Sequence, residues 1–178
     1  NDAPTARPNA YSLNEGATLV VSATLGVLAN DDDVDSEVLM AVLASDVTHG
    51  NLTLNPDGSF TYTHDGSETT RDHFTYRASD GMAMSNLVVV TLTIAPVNEA
   101  PIVGDIPDQS IRADDSFATI PLDEYVSDVD NADDEMIWRA GGNVELSVTI
   151  AERVATITPP DADWVGQETV VFTATDPG

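Results

Sequence analysis

Over most of the chain, apolar and polar residues alternate at every second position, and the 3.6-residue spacing of a helix is nearly missing. Tyr11-Ser-Leu13 predicts a short strand, interrupted at Asn14-Glu15-Gly16 and followed by a β-branched apolar run from Thr18 to Thr24. Val38 to Ala44 is apolar enough for a buried strand. Leu52-Thr-Leu54 and Phe60-Thr-Tyr62 flank Asn55-Pro-Asp-Gly58, a turn-forming tetrapeptide that closes a hairpin. Phe74, Tyr76 and Ala78 alternate with Thr75 and Arg77, and Val88, Val90, Leu92 and Ile94 with Val89, Thr91 and Thr93. About seven strands separated by turn signals is the pattern of an antiparallel β-sandwich, with the Leu, Val, Phe and Tyr faces as its core.

Ala95-Pro-Val-Asn-Glu-Ala-Pro101 is a stiff connector, and beyond it the same grammar restarts. Short strands are predicted at Ser110-Ile-Arg112 and Phe117 to Leu122. Further strands are predicted at Met136 to Arg139, Val144 to Ile150, Arg153 to Thr158 and Thr169 to Thr175. The restart is an internal repeat. Asp72, Phe74, Tyr76, Ala78 and Asp80 align with Glu168, Val170, Phe172, Ala174 and Asp176. Asn1-Asp-Ala-Pro4 aligns with Asn98-Glu-Ala-Pro101, and Asp33-Val-Asp35 with Asp128-Val-Asp130. The chain therefore reads as two copies of one module, residues 1–97 and 98–178. The second copy is expected to lack the last strand of the first.

Composition narrows the function. A net charge of −25 comes from 31 acidic residues, mostly Asp, against six cationic ones, all Arg. Asp is a turn and metal-ligand residue and a poor helix former, so the excess belongs in loops. Such a charge repels nucleic acid and anionic lipid; the natural partners are cations. With 42% hydrophobic residues the chain is no disordered acidic tail. Cysteine is absent, excluding disulfide and thiolate-metal frameworks, and no apolar run approaches the ~20 residues of a membrane span.

The acids are densest in Asn30-Asp-Asp-Asp-Val-Asp-Ser-Glu37. If extended, this run would set Asp31, Asp33, Asp35 and Glu37 on one side. Repulsion of roughly 1 kcal/mol per pair at ~4 Å in water calls for a counter-ion, and a hard, oxygen-seeking cation such as calcium fits best. An EF-hand is excluded. A loop starting at Asp31 has Ser36 and Val42 where Gly and Glu are required, and one starting at Asp128 ends on Arg139. Asp72 and Asp80 bracket one strand, and eight residues at ~3.3 Å set them roughly 26 Å apart, at opposite poles of a sandwich.

The linkers Asn-Asp/Glu-Ala-Pro, the Asn14-Glu15-Gly16 interruption, the two Asp-x-Asp pairs, Asn55 to Tyr62, Phe74 to Gly81 and Pro159-Pro160 through Trp164-Val-Gly166 together resemble cadherin-like repeats. The resemblance is to the bacterial kind, strung in long arrays in secreted, RTX-type surface adhesins, and it covers nearly the whole chain. It implies an all-β fold of two tandem Greek-key sandwiches with Ca2+ at the junction between them. By the family's topology the junction ligands would be Glu15, Asp72, Asn98, Glu99, Asp128, Asp130 and Asp176. A half-site at the N-terminus would comprise Asn1, Asp2, Asp31, Asp33, Asp35, Glu37 and Asp80. Departures exist. Pro96 stands where the animal linker has its first Asp, and only Asp65 and Glu68 lie near the Leu-Asp-Arg-Glu position, which implies fewer ions per junction than in animal cadherins.

No catalytic reading survives. His49, His64 and His73 show no metalloprotease spacing, and there is no nucleophile elbow or phosphate loop. Trp164 and Trp138 are candidates for stacking on a sugar ring. The expected role is a calcium-rigidified spacer or adhesion module outside a bacterial cell, partnered by neighbouring repeats. A polysaccharide-binding module and a homophilic or partner-binding adhesion domain are the alternatives.

Overall fold

The computed structural model describes residues 1–112 and 114–178, and the chain divides into two compact units, Asn1–Val97 and Asn98–Gly178. Among the described residues there is no α-helix.

The first unit holds seven strands: β1 (Asn9–Asn14), β2 (Thr18–Val21), β3 (Met40–Ser45), β4 (Gly50–Leu54), β5 (Phe60–His64), β6 (Arg71–Ser79) and β7 (Val88–Ala95). They form a four-stranded sheet, β1-β7-β6-β3, and a three-stranded sheet, β2-β5-β4. All pairings are antiparallel except β1 with β7, which run parallel, Tyr11 opposite Leu92. The period-two pattern does the folding. Phe60 and Tyr62 face inward from β5, Phe74, Tyr76 and Ala78 from β6, and Val88, Val90 and Leu92 from β7, all in one core. Phe60 packs edge-to-face on both Tyr11 and Phe74. Each such ring contributes about 1.5–3 kcal/mol by burial.

The predicted run Thr18 to Thr24 ends at Val21, and a 3-10 turn covers Ala23–Leu25. Gly26 follows the turn and lies against Gly58, where a Cβ would come within 2.2 Å of the Gly58 carbonyl oxygen.

In the second unit β8 (Ile102–Val103) pairs with β10 (Val126–Ser127), and β11 (Ile137–Gly141) with β14 (Val171–Thr175). A three-stranded sheet joins β12 (Ser147–Ala151), β13 (Val154–Thr158) and β9 (Ile120–Pro121). Leu122, Trp138, Ala155 and Ala174 lie at its core. Of the strand expected over Phe117 to Leu122 only Ile120–Pro121 forms, because Leu122 opens a 3-10 turn through Tyr125. Ser110 to Arg112 is not a strand, because the Gln109 amide bonds both the N–H and the carbonyl of Ala118, taking the place of a backbone ladder. The short strands β8 and β10 were too brief to register as alternation.

Candidate metal centre

One pole of the first unit gathers Asn1, Asp2, Asp33, Asp35 and Asp80. Asp33 curls the acidic run around itself: its Oδ1 accepts the N–H of Asp35 at 2.7 Å and of Ser36 at 2.8 Å. The segment is therefore bent, not extended, and the expected row of four carboxylates does not form. Asp35 Oδ2 accepts the Asp2 N–H at 2.6 Å, and Asp80 Oδ2 accepts the Asn1 amide at 2.8 Å. The Ala83 and Met82 N–H groups and the Asn1 amide hold the Asp80 carboxyl below its ordinary range.

The other two members of the expected N-terminal set lie outside this cluster. Asp31 turns to the Arg7 N–H and the Tyr76 hydroxyl, and Glu37 lies exposed beyond the curl.

The second unit repeats this construction bond for bond. Asp128 Oδ1 accepts the N–H of Asp130 at 2.9 Å and of Asn131 at 2.8 Å. Asp130 Oδ2 accepts the Glu99 N–H at 2.8 Å, and Asp176 Oδ1 accepts the Asn98 amide at 3.1 Å. In both units the second oxygen of the first aspartate, Asp33 Oδ2 or Asp128 Oδ2, is buried and accepts no hydrogen bond; so is Asn131 Oδ1. A buried carboxylate oxygen without a donor is costly, roughly 1–3 kcal/mol or more. These oxygens fit a hard cation, which takes six to eight of them.

Glu15 sits at the end of the first unit where β1 and β7 finish. Its N–H bonds the Ala95 carbonyl, and the Val97 N–H reaches its Oε2 at 3.5 Å. The side chain is 9% exposed and its Oε1 is buried without a partner. Glu68 of the same unit brings a carboxylate oxygen within 4.8 Å of one on Glu15. Glu68 was missing from the ligand set read off the sequence; its signal was its place near the position of the animal Leu-Asp-Arg-Glu motif.

Asp72 belongs to a different role. Its two oxygens accept the N–H groups of Thr48, His49 and His73 and the hydroxyls of Thr48 and Tyr62. Burial alone would raise its carboxyl, but these hydrogen bonds outweigh burial and lower it. It braces the turn between β3 and β4. Glu168 does the same in the second unit, accepting the N–H groups of Val144, Glu145 and Leu146. The aligned acids Asp72 and Glu168 are thus structural.

Of the two tryptophans, Trp138 is core, 8% exposed, so its ring is not open to stack on a sugar. Trp164 is half-buried, with its indole N–H donated to Glu145.

Residues 1–96 match the model of the bacterial cadherin-like domain. The chain belongs to that family. Its fold is also that of animal cadherin ectodomains. The human desmocollin-1 ectodomain matches at TM-score 0.56 and 14% identity over 99% of this chain and 38% of that one. Human CDH23 EC21-23 matches at TM-score 0.56 and 13% identity over 99% and 65%. The chain spans about two fifths of the length of the first of these, and at such identities the likeness is one of fold. No curated protein sequence matches the chain significantly. Cadherin-like domains are generally extracellular and typically non-catalytic. Among the described residues no helix is long and apolar enough to cross a membrane, a statement that does not extend to β-barrels.

Proposed function

We propose that this pair of cadherin-like domains is a calcium-stiffened spacer of a long extracellular protein, without catalytic activity of its own. The observation that carries it is the recurrence of buried carboxylate oxygens without donors: Glu15 Oε1, Asp33 Oδ2 and Asp128 Oδ2. Glu15 has the Glu68 carboxylate within reach, and Asp33 and Asp128 lie in poles built from Asp and Asn side chains; such oxygen-rich sets suit calcium better than a transition metal. Val97, whose N–H reaches Glu15, is followed directly by Asn98, the first residue of the second unit's acidic pole. Glu15 and Glu68 would supply calcium ligands at the end of the first unit, and Glu99, Asp128, Asp130 and Asp176 those at the acidic pole of the second. The acidic pole of the first unit, built in the same way, would be a further calcium-binding pole.

In this reading the carboxylates repel one another without cations and the linker flexes. At the millimolar calcium found outside cells, sites of ~10⁻⁴–10⁻³ M affinity fill and the linker stiffens. Small-angle scattering in calcium against chelator tests it. A maximum dimension that narrows in distribution, with a raised melting temperature, is expected; unchanged curves would overturn the reading. A polysaccharide or a surface protein remains the partner class for an adhesive role, with Trp164 as the residue to vary.

A further inference from the structure

We infer that His64 is the positioning residue of the glutamate pair at the Glu15 pole, acting as a clamp between the two turns that carry Glu15 and Glu68. This rests on the calcium reading above. His64 is the last residue of β5, 3% exposed, and its ring enters the gap between the 14–17 turn and the 65–69 loop. Its Nδ1 accepts two backbone donors, the Gly16 N–H at 3.2 Å and the Gly66 N–H at 3.3 Å. Gly16 follows Glu15 directly, and Gly66 opens the loop that leads to Glu68. The Nε2 lies 3.0 Å from the Thr69 hydroxyl, the residue after Glu68. One imidazole therefore holds the backbone on both sides of the pair.

The bonding also assigns the tautomer. An Nδ1 that accepts two N–H groups carries no proton, so Nε2 bears the hydrogen and donates it to Thr69 Oγ1. A proton on Nδ1 would face two donors at once, so the two N–H groups exclude it from that nitrogen. Both glycines have left-handed φ, +62° at Gly16 and +79° at Gly66, which is what lets two turns aim their N–H groups at one atom. In this role His64 fixes where the backbones of the two turns run.

The test is calcium titration by calorimetry on the whole chain and on two variants. Asn places its amide oxygen near the position of Nδ1, so His64→Asn keeps the acceptor; His64→Phe keeps bulk and removes it. His64→Asn is expected to bind calcium within about threefold of the wild type, and His64→Phe at least tenfold more weakly. Wild-type binding matched by His64→Phe, or equal losses in both variants, would overturn the clamp while leaving the calcium reading intact. Absence of wild-type binding would overturn both. If His64→Phe fails to fold, long-range ¹⁵N spectra of the wild-type ring at neutral pH decide. The Nε2–H tautomer is expected, and an Nδ1–H or doubly protonated ring would overturn the clamp.

Discussion

Asp33 in the first unit and Asp128 in the second are posed alike: one carboxylate oxygen accepts two backbone N–H groups and the other is buried with no donor. The same local bonds recur although the flanking sequences differ. A fold that only needed to curl its loop would be served equally well by Asn. Asp128→Asn preserves the Oδ1 acceptor and removes the orphaned charge. Calcium affinity should fall at least tenfold, about 1.4 kcal/mol. In chelator the variant should be no less stable than the wild type, because a buried unpaired charge has gone. Calorimetric titration and thermal melts check both halves, and unchanged calcium affinity would remove Asp128 from the ligand set.

Asp72 tests the opposite role. Five donors converge on a carboxylate 3% exposed, so Asp72→Ala leaves buried N–H groups unpaired. A loss of about 3 kcal/mol in unfolding free energy is expected, with the calcium affinity of the folded protein unaltered. The pH dependence has a defined sign. The folded carboxyl is lowered, so its stabilisation is present above the ordinary Asp range and is lost as pH falls through the lower folded value. Asp72→Asn should therefore be less stable than the wild type at neutral pH, with the gap narrowing below about pH 4. Urea melts at neutral and acid pH measure this directly.

Much of the fold was legible because period-two alternation survives wherever a strand buries one face. In the first unit all seven predicted strands lie on observed ones, most closely β6 and β7 with their inward Phe74, Tyr76, Val90 and Leu92. In the second unit, two-residue strands such as Ile102–Val103 carry no period, and Gln109 imitates a strand partner with its side chain. The acids were harder to sort. Spacing showed that Asp31, Asp33, Asp35 and Glu37 share a parity, but only if the chain is extended, and the Asp33 turn bends it. Repeat alignment equated Asp72 with Glu168 correctly, yet it could not tell a ligand from a brace. That distinction lies in which backbone N–H groups point at the carboxylate. Glu68 shows the reverse case, a residue of the cluster whose motif context was too degraded to choose it.

Asp31 gives the remaining prediction, since it stood in the same acidic run and is used differently. Its Oδ1 takes the Arg7 N–H and its Oδ2 the Tyr76 hydroxyl, which also lies 2.7 Å from the Val27 carbonyl. Burial raises its carboxyl, more than the hydrogen bonds from Arg7 and Tyr76 lower it. A raised folded value means the group favours the fold below the ordinary Asp range and works against it once pH climbs past that folded value. Asp31→Asn keeps an oxygen for Arg7 and carries no charge, and Tyr76 retains Val27 as acceptor. The variant should gain stability at neutral pH, by less than about 1 kcal/mol because the site is partly solvated, and should match the wild type near pH 3. Calcium affinity should not change. Paired thermal melts at the two pH values, with a calcium titration at neutral pH, separate this from a ligand role. A neutral-pH loss of stability together with weaker calcium binding would return Asp31 to the metal site.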